Sequence, residues 1–172
     1  MKKLVLALAT AAVSALSSNA IAAGSATGTM LVSAVVIQSC LITAVPLNFL
    51  EYKPTQTTAT TGTTTVAVVC NGVTSGSMKM GHGQNSIAGT RQMVGPLSTD
   101  KLSYTLFQPT SGAPLASCAS ATTWGDGSDV GTALTVTGLA LPSIYNVCGS
   151  IPPGQTAALG AYLDSVTVTL EF

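Results

Sequence analysis

Charge is scarce in this chain. Its 172 residues include only six lysine or arginine and six aspartate or glutamate side chains, for a formal net charge of +0. Two of the cations, Lys2 and Lys3, stand at the very start, which leaves Lys53, Lys79, Arg91 and Lys101 for the rest. Such a surface has no electrostatic footprint for nucleic acid or for an anionic lipid surface. Histidine is scarcer still, His82 being the only one. Enzymes hold an acid, base or nucleophile against a partner. Here Glu51, Asp100, Asp126, Asp129, Asp164 and Glu171 show no telling spacing, and no serine sits in a nucleophile elbow. Neither an enzyme nor a small-molecule substrate is expected. "GHGQNSIAG" lacks the third glycine and the following helix of a phosphate loop. "DGSD" at Asp126–Asp129 has the wrong spacing for a calcium loop and reads as an Asp-Gly turn.

No apolar run is long enough to cross a bilayer as a helix. The longest, "LVLALATAAVSAL", follows the basic "MKK" and precedes the small residues of "NAIAA". That is the pattern of a secretory signal peptide, assigned to 1–22, with cleavage after Ala22 or, alternatively, Ala23. The remainder, 23–172, suffices for one domain with its own core. In an exported chain the four cysteines, Cys40, Cys70, Cys118 and Cys148, read as disulfides, and four allow three connectivities. Cys40–Cys70 with Cys118–Cys148 is favoured because each pair lies in its own half of the chain. Zinc is the competing reading, disfavoured because no Cys-x-x-Cys pair is present, and no metal or cofactor is expected.

What the chain does have is threonine, valine and turn residues. Short β-branched or alternating runs predict about eight strands. They include "TGTMLVSAVVIQ", "CLITAV" ended by Pro46, "TVAVVC" behind the threonine-rich "TQTTATTGTTT", "SGSMKMGH", "KLSYTLFQ", "TALTVTGLAL" and the closing "GAYLDSVTVTLEF". The turns fall at Asn71-Gly72, at "WGDGSDVG" and at "PPGQTAALG". The class is an all-β sandwich. In "MKMGH", Met78, Met80 and His82 share one strand face, a soft set that suits copper. Alternatively the two methionines fill the core and His82 stands in solvent at the strand end, the favoured reading because nothing else completes a site. In the last strand Val166, Val168, Leu170 and Phe172 alternate with Ser165, Thr167, Thr169 and Glu171, so the chain ends on an apolar face at full strength.

The order of these features resembles the spore coat protein U domain family, which includes subunits of Csu-type archaic chaperone–usher pili. The resemblance runs through "MLVSAVVIQSC", "VAVVCNG", "RQM", "LSYTLFQ", "WGDG", "SIPPGQ" and "GAYLDSVTVTLEF". The chain departs from the family at Phe49-Leu50, where Phe-Gly is usual, and at Cys148, where an aromatic residue is usual. What the resemblance implies is an incomplete immunoglobulin-like β-sandwich, completed by a donor strand from a neighbouring subunit or a chaperone. The donor segment would lie within 23–38, mainly Ser25 to Ile37, with Met30, Val32, Ala34 and Val36 as its inward face. Leu31, Ser33, Val35 and Ile37, on the other face, are also fairly apolar. The alternative is that this segment is the first strand of its own sandwich. Val166, Val168, Leu170 and Phe172 would line the acceptor groove. The implied role is a structural pilus subunit with a part in adhesion and biofilm formation, exported through the periplasm to the cell surface. The implied partners are a periplasmic pilus chaperone, an outer-membrane usher and other pilus subunits in a head-to-tail polymer. Two readings from other classes compete: a small outer-membrane β-barrel, whose aromatic girdles are missing here, and a periplasmic copper-binding β-sandwich.

Overall fold

A computed structural model describes residues 24–97 and 99–172; the leader assigned to 1–22 lies outside them. Two compact units are distinguished, one ending at Val35 and the other spanning Val36–Phe172. The described part of the first, 24–35, is exposed throughout and has no regular secondary structure. The strand predicted over "TGTMLVSAVVIQ" is therefore absent. Alternating apolar residues supply a face for a strand but not the hydrogen-bonded ladder that makes one.

The second unit is an immunoglobulin-like sandwich built from eight strands. They are β1 (Ser39–Ala44), β2 (Thr60–Asn71), β3 (Ser75–Met80), β4 (Arg91–Val94), β5 (Lys101–Phe107), β6 (Leu134–Thr137), β7 (Ser143–Ile151) and β8 (Val168–Glu171). Two antiparallel sheets result, with strand orders β1-β2-β7-β5-β4 and β6-β3-β8. Both end in edge strands with no further strand partner among the described residues, so the two sheets do not close into a barrel there, and the barrel reading fails on connectivity. The second half of the threonine-rich stretch is itself strand. Thr60–Thr65 pair with Asn146–Ile151 of β7, because β-branched side chains suit a pleated, half-buried surface. In β5 the alternation holds residue by residue, with Leu102, Tyr104 and Leu106 buried. Sequence reasoning overlooked β7, the middle strand of the larger sheet, whose Asn146, Cys148 and Gly149 interrupt its apolar run.

The core lies between the sheets around Trp124, Tyr145, Met78 and Met80, none more than 1% exposed. The two disulfides are Cys40–Cys70 and Cys118–Cys148, each closing a sequence separation of 30 residues. Loops of that length contribute about 3–4 kcal/mol in the chain-entropy model. Cys40 and Cys70 are also register partners in the β1–β2 ladder, which fixes the edge strand to its neighbour.

β3 is flanked by β6 and β8, and the two flanks are finished differently. On the β6 side, the ladder is continued past Met78 by the "WGDG" loop, whose Gly125 carbonyl accepts from the Met80 N–H at 3.1 Å. Trp124 is fully buried, and its indole N–H donates to the Met78 carbonyl at 3.0 Å. Arg91, from "RQM", is 2% exposed and donates to the carbonyls of Gly81 at 2.9 Å and Met80 at 2.7 Å. Burial pushes its pKa down, offset in part by Tyr104, Asp126 and Asp164.

Candidate functional site

On the β8 side β3 is paired as well, and the ladder runs on through the Gly81 N–H to the Thr167 carbonyl at 2.9 Å and the Gln84 N–H to the Ser165 carbonyl at 3.1 Å. What lacks a comparable finish is the outer edge of β8. β8 pairs with β3, Val168 opposite Met80 and Leu170 opposite Met78, and its other edge has no strand partner among the described residues. β1 likewise pairs only with β2 and approaches β8 with Cα atoms within 8 Å. Between the chain that follows β1 and the chain that leads into β8 lies an apolar groove of about 900 Å³. One wall is the run from Ala44 to Leu50, the other the run from Ala157 to Val168, and buried Val66, Met80, Leu106 and Val147 contribute to the floor.

Each wall has a local cause. Val45 makes the last bonds of the β1 edge, donating to the Thr65 carbonyl at 3.0 Å and accepting from the Thr64 hydroxyl at 2.9 Å. Pro46 has no N–H to continue the ladder. The chain then turns Leu47 and Phe49 onto a notch made by Gly62 and Gly149, register partners of β2 and β7. A Cβ on Gly149 would stand 2.6 Å from Leu47 Cδ2 and 2.7 Å from Phe49 Cζ. Glycine here makes room for the wall. Phe49 also meets Tyr104 in a tilted arrangement, ring centroids 6.1 Å apart. Leu50 follows at φ 63° and is 98% exposed. Glycine adopts this left-handed backbone at least cost, and holding leucine in it costs about 1–2 kcal/mol.

The second wall is held by Leu163, which exchanges backbone bonds with Val94 at 2.9 and 3.0 Å. Next to it, the Asp164 carboxylate accepts from the Tyr104 hydroxyl at 2.7 Å, and from the Gln84 N–H and the Asn85 amide at 3.0 Å each. Burial first, then the bond to Asp164, raises the Tyr104 pKa far above its usual value. At the loop before this wall, the Gln155 side chain mimics a strand. Its amide accepts from the Ser103 N–H at 2.8 Å and donates to the Ser103 carbonyl at 2.9 Å.

Of the four residues predicted to line an acceptor groove, the structure puts Val166 and Val168 in the wall. Leu170 is instead buried in the core beside Met78, and Phe172 is 57% exposed and outside the lining. Strand β8 is also shorter than the predicted run, since it begins only at Val168. Met30, Val32 and Val36 are more than 80% exposed, and Ala34 is exposed as well. The wall over Ala44–Leu50 was missed by sequence reasoning. The signals were Pro46, which stops a strand, and two glycines, Gly62 and Gly149, inside strand-like runs. The copper constellation does not assemble. Met78 and Met80 are core residues, while His82 turns to Ser128, its Nε2 2.9 Å from the hydroxyl, with Asp126 and Asp129 at 3.5 and 3.4 Å. "DGSD" is a turn in which Asp126 accepts from the Ser128 N–H at 3.0 Å, and its hydrogen bonds with Ser128 hold its pKa below the usual carboxylate value.

The model of the Spore Coat Protein U domain matches residues 26–169. Protein U of Myxococcus xanthus is 31% identical over 137 residues, which cover 73% of this chain and 71% of that protein. Among solved structures, the chain is similar to one from the chaperone–tip adhesion subunit pre-assembly complex of the archaic chaperone-usher Csu pili of Acinetobacter baumannii. That similarity has a TM-score of 0.51 at 20% identity and covers 80% of this chain. The chain spans only 40% of the solved chain it matches, and what the two share is the fold. With the family model matched across nearly all the described residues, this chain belongs to the Spore Coat Protein U domain family.

Proposed function

We propose that this protein is a non-enzymatic structural subunit of a chaperone–usher pilus or surface fibre, polymerising when its N-terminal segment fills the groove of a neighbouring copy. One observation supports the reading: among the described residues, an apolar groove is bordered by a strand edge without a strand partner, and the apolar N-terminal segment is exposed and forms no strand. Strand addition satisfies both at once. The β8 edge supplies main-chain hydrogen bonds, and alternate side chains of the entering strand fill the groove. An apolar edge left open invites aggregation, which calls for a periplasmic chaperone to cover it before assembly and an outer-membrane usher to pass it on. Because groove and donor are different surfaces, the contact is heterologous and propagates as a filament. Export through the periplasm to the cell surface follows, and a fibre there serves adhesion and biofilm formation.

In this reading Met30, Val32, Ala34 and Val36 enter the groove, where Val166 and Val168 receive them. The test uses two variants of the full chain. Val36→Asp disables the donor and leaves the groove intact; Val168→Asp does the reverse, since an unpaired charge is expensive against apolar side chains. Neither variant alone should form multimers, and a mixture of the two should stop at one-to-one pairs by mass measurement. Multimers from either variant alone would overturn the proposal.

A further inference from the structure

The donor segment has a property that filling a groove does not explain. Its second face is apolar too: Leu31 is 92% exposed, Val35 89% and Ile37 74%. A strand lying in a one-sided groove turns that face to water, where large apolar side chains gain nothing and threaten solubility. The groove rim carries the complementary oddity. Leu50, 98% exposed, and Leu159, 99% exposed, belong to opposite walls of the same groove.

Neither leucine is placed by its own packing. Leu50 keeps a left-handed backbone, φ 63°, that glycine or asparagine would adopt more readily. Leu159 is followed by Gly160, whose α-carbon lies so close to Pro96 that an added Cβ would clash with the proline ring. The second wall is thus set on Pro96 with Leu159 projecting outward.

Resting on the fibre reading, we propose that Leu50 and Leu159 form a clasp that closes over the outer face of the N-terminal segment of a second copy, covering Leu31, Val35 and Ile37. The groove then recognises a donor by two faces. Side chains at the even positions fill the floor, and those at the odd positions are roofed by the rim. A strand apolar on one face only would fill the floor and leave the clasp open, so the rim selects this chain's own segment over one-faced strands. Strain at Leu50 persists because the side chain is needed once the groove is filled.

The test is the dissociation rate of assembled full-length chains in mild denaturant. Leu50→Asn keeps a residue that tolerates the left-handed backbone and removes the apolar side chain; Leu50→Gly relieves the strain outright. Either variant, and Val35→Ser on the donor, should dissociate at least about tenfold faster, the order expected for uncovering one large apolar side chain. The melting temperature of the unassembled Leu50→Gly subunit should not fall. Combining Leu50→Asn with Val35→Ser should add little to either alone, because both remove the same contact. Wild-type dissociation rates for the Leu50 variants, or fully multiplicative effects in the combination, would overturn the clasp. Val168→Asp separates the two proposals: if it abolishes assembly while Leu50→Asn changes nothing, the clasp fails alone. If Val168→Asp assembles normally, the groove reading fails first.

Discussion

The two flanks of β3 show opposite ways of ending a small sheet. On the β6 side the ladder groups at the end of β3 find substitutes. Gly125 continues the strand pairing, the Trp124 indole caps the Met78 carbonyl, and Arg91 spends its guanidinium on two main-chain carbonyls. On the β8 side the same core residue, Met80, looks into an open groove whose rim leucines face solvent. The molecule is therefore not poorly packed in general. The open groove runs along one line between β1 and β8, and the hydrogen bonds on the other flank keep the sandwich in shape while that line stays open.

The contrast can be broken most severely at the sealed flank. Trp124→Ala removes a fully buried ring together with its hydrogen bond and should destabilise the subunit by about 3–5 kcal/mol, read by chemical denaturation whether or not the groove is filled. A loss below about 1 kcal/mol would mean that this flank is not what holds the core shut. A medium effect is expected at the notch. Gly149→Ala should push Leu47 and Phe49 off the sheet and cost about 1–2 kcal/mol of overpacking, with a larger proportional loss of assembly than of stability. Equal losses in the two measurements would show that the wall is scaffold only.

The smallest effect sharpens the contrast through pH. Tyr104, with its pKa raised by burial and by Asp164, resists ionisation when folded, whereas the unfolded chain ionises near the ordinary value of 10.0. Its contribution is fully present below that value and is lost as pH rises through and beyond it. Tyr104→Phe should cost about 1 kcal/mol at neutral pH and flatten the alkaline decline in stability. An unchanged alkaline slope would place the titration elsewhere.

Legibility in the sequence followed local periodicity. β5 and the inward positions of β8 were readable because Leu102, Tyr104, Leu106, Val168 and Leu170 obey a two-residue period. The disulfide pairing was readable because each bond closes within one half of the chain. β7 was not, because Gly149 is there for Leu47 and Phe49, which lie a hundred residues away in sequence, and Cys148 for a bond to Cys118. The groove wall at Ala44–Leu50 escaped for a similar reason. Its shape depends on the backbone angle at Leu50 and on the notch, and no short window of sequence contains both. The first apolar run was the reverse case, with strand-like periodicity but no strand.

The bond between Cys40 and Cys70 has a mechanical meaning. In the fibre proposed above, held by its N-terminal segments, tension would enter each subunit through the residues just before Cys40. A lone edge strand loaded there would peel from β2 one hydrogen bond at a time. The disulfide instead joins the point of entry covalently to Cys70 at the far end of β2, beyond the stretch Thr60–Val68 that is laddered to β7. Load is thereby shared across the middle of the larger sheet, and the edge strand cannot act as a zipper. Reduced fibres should yield at lower force than oxidised ones, with β1 as the first part to give way.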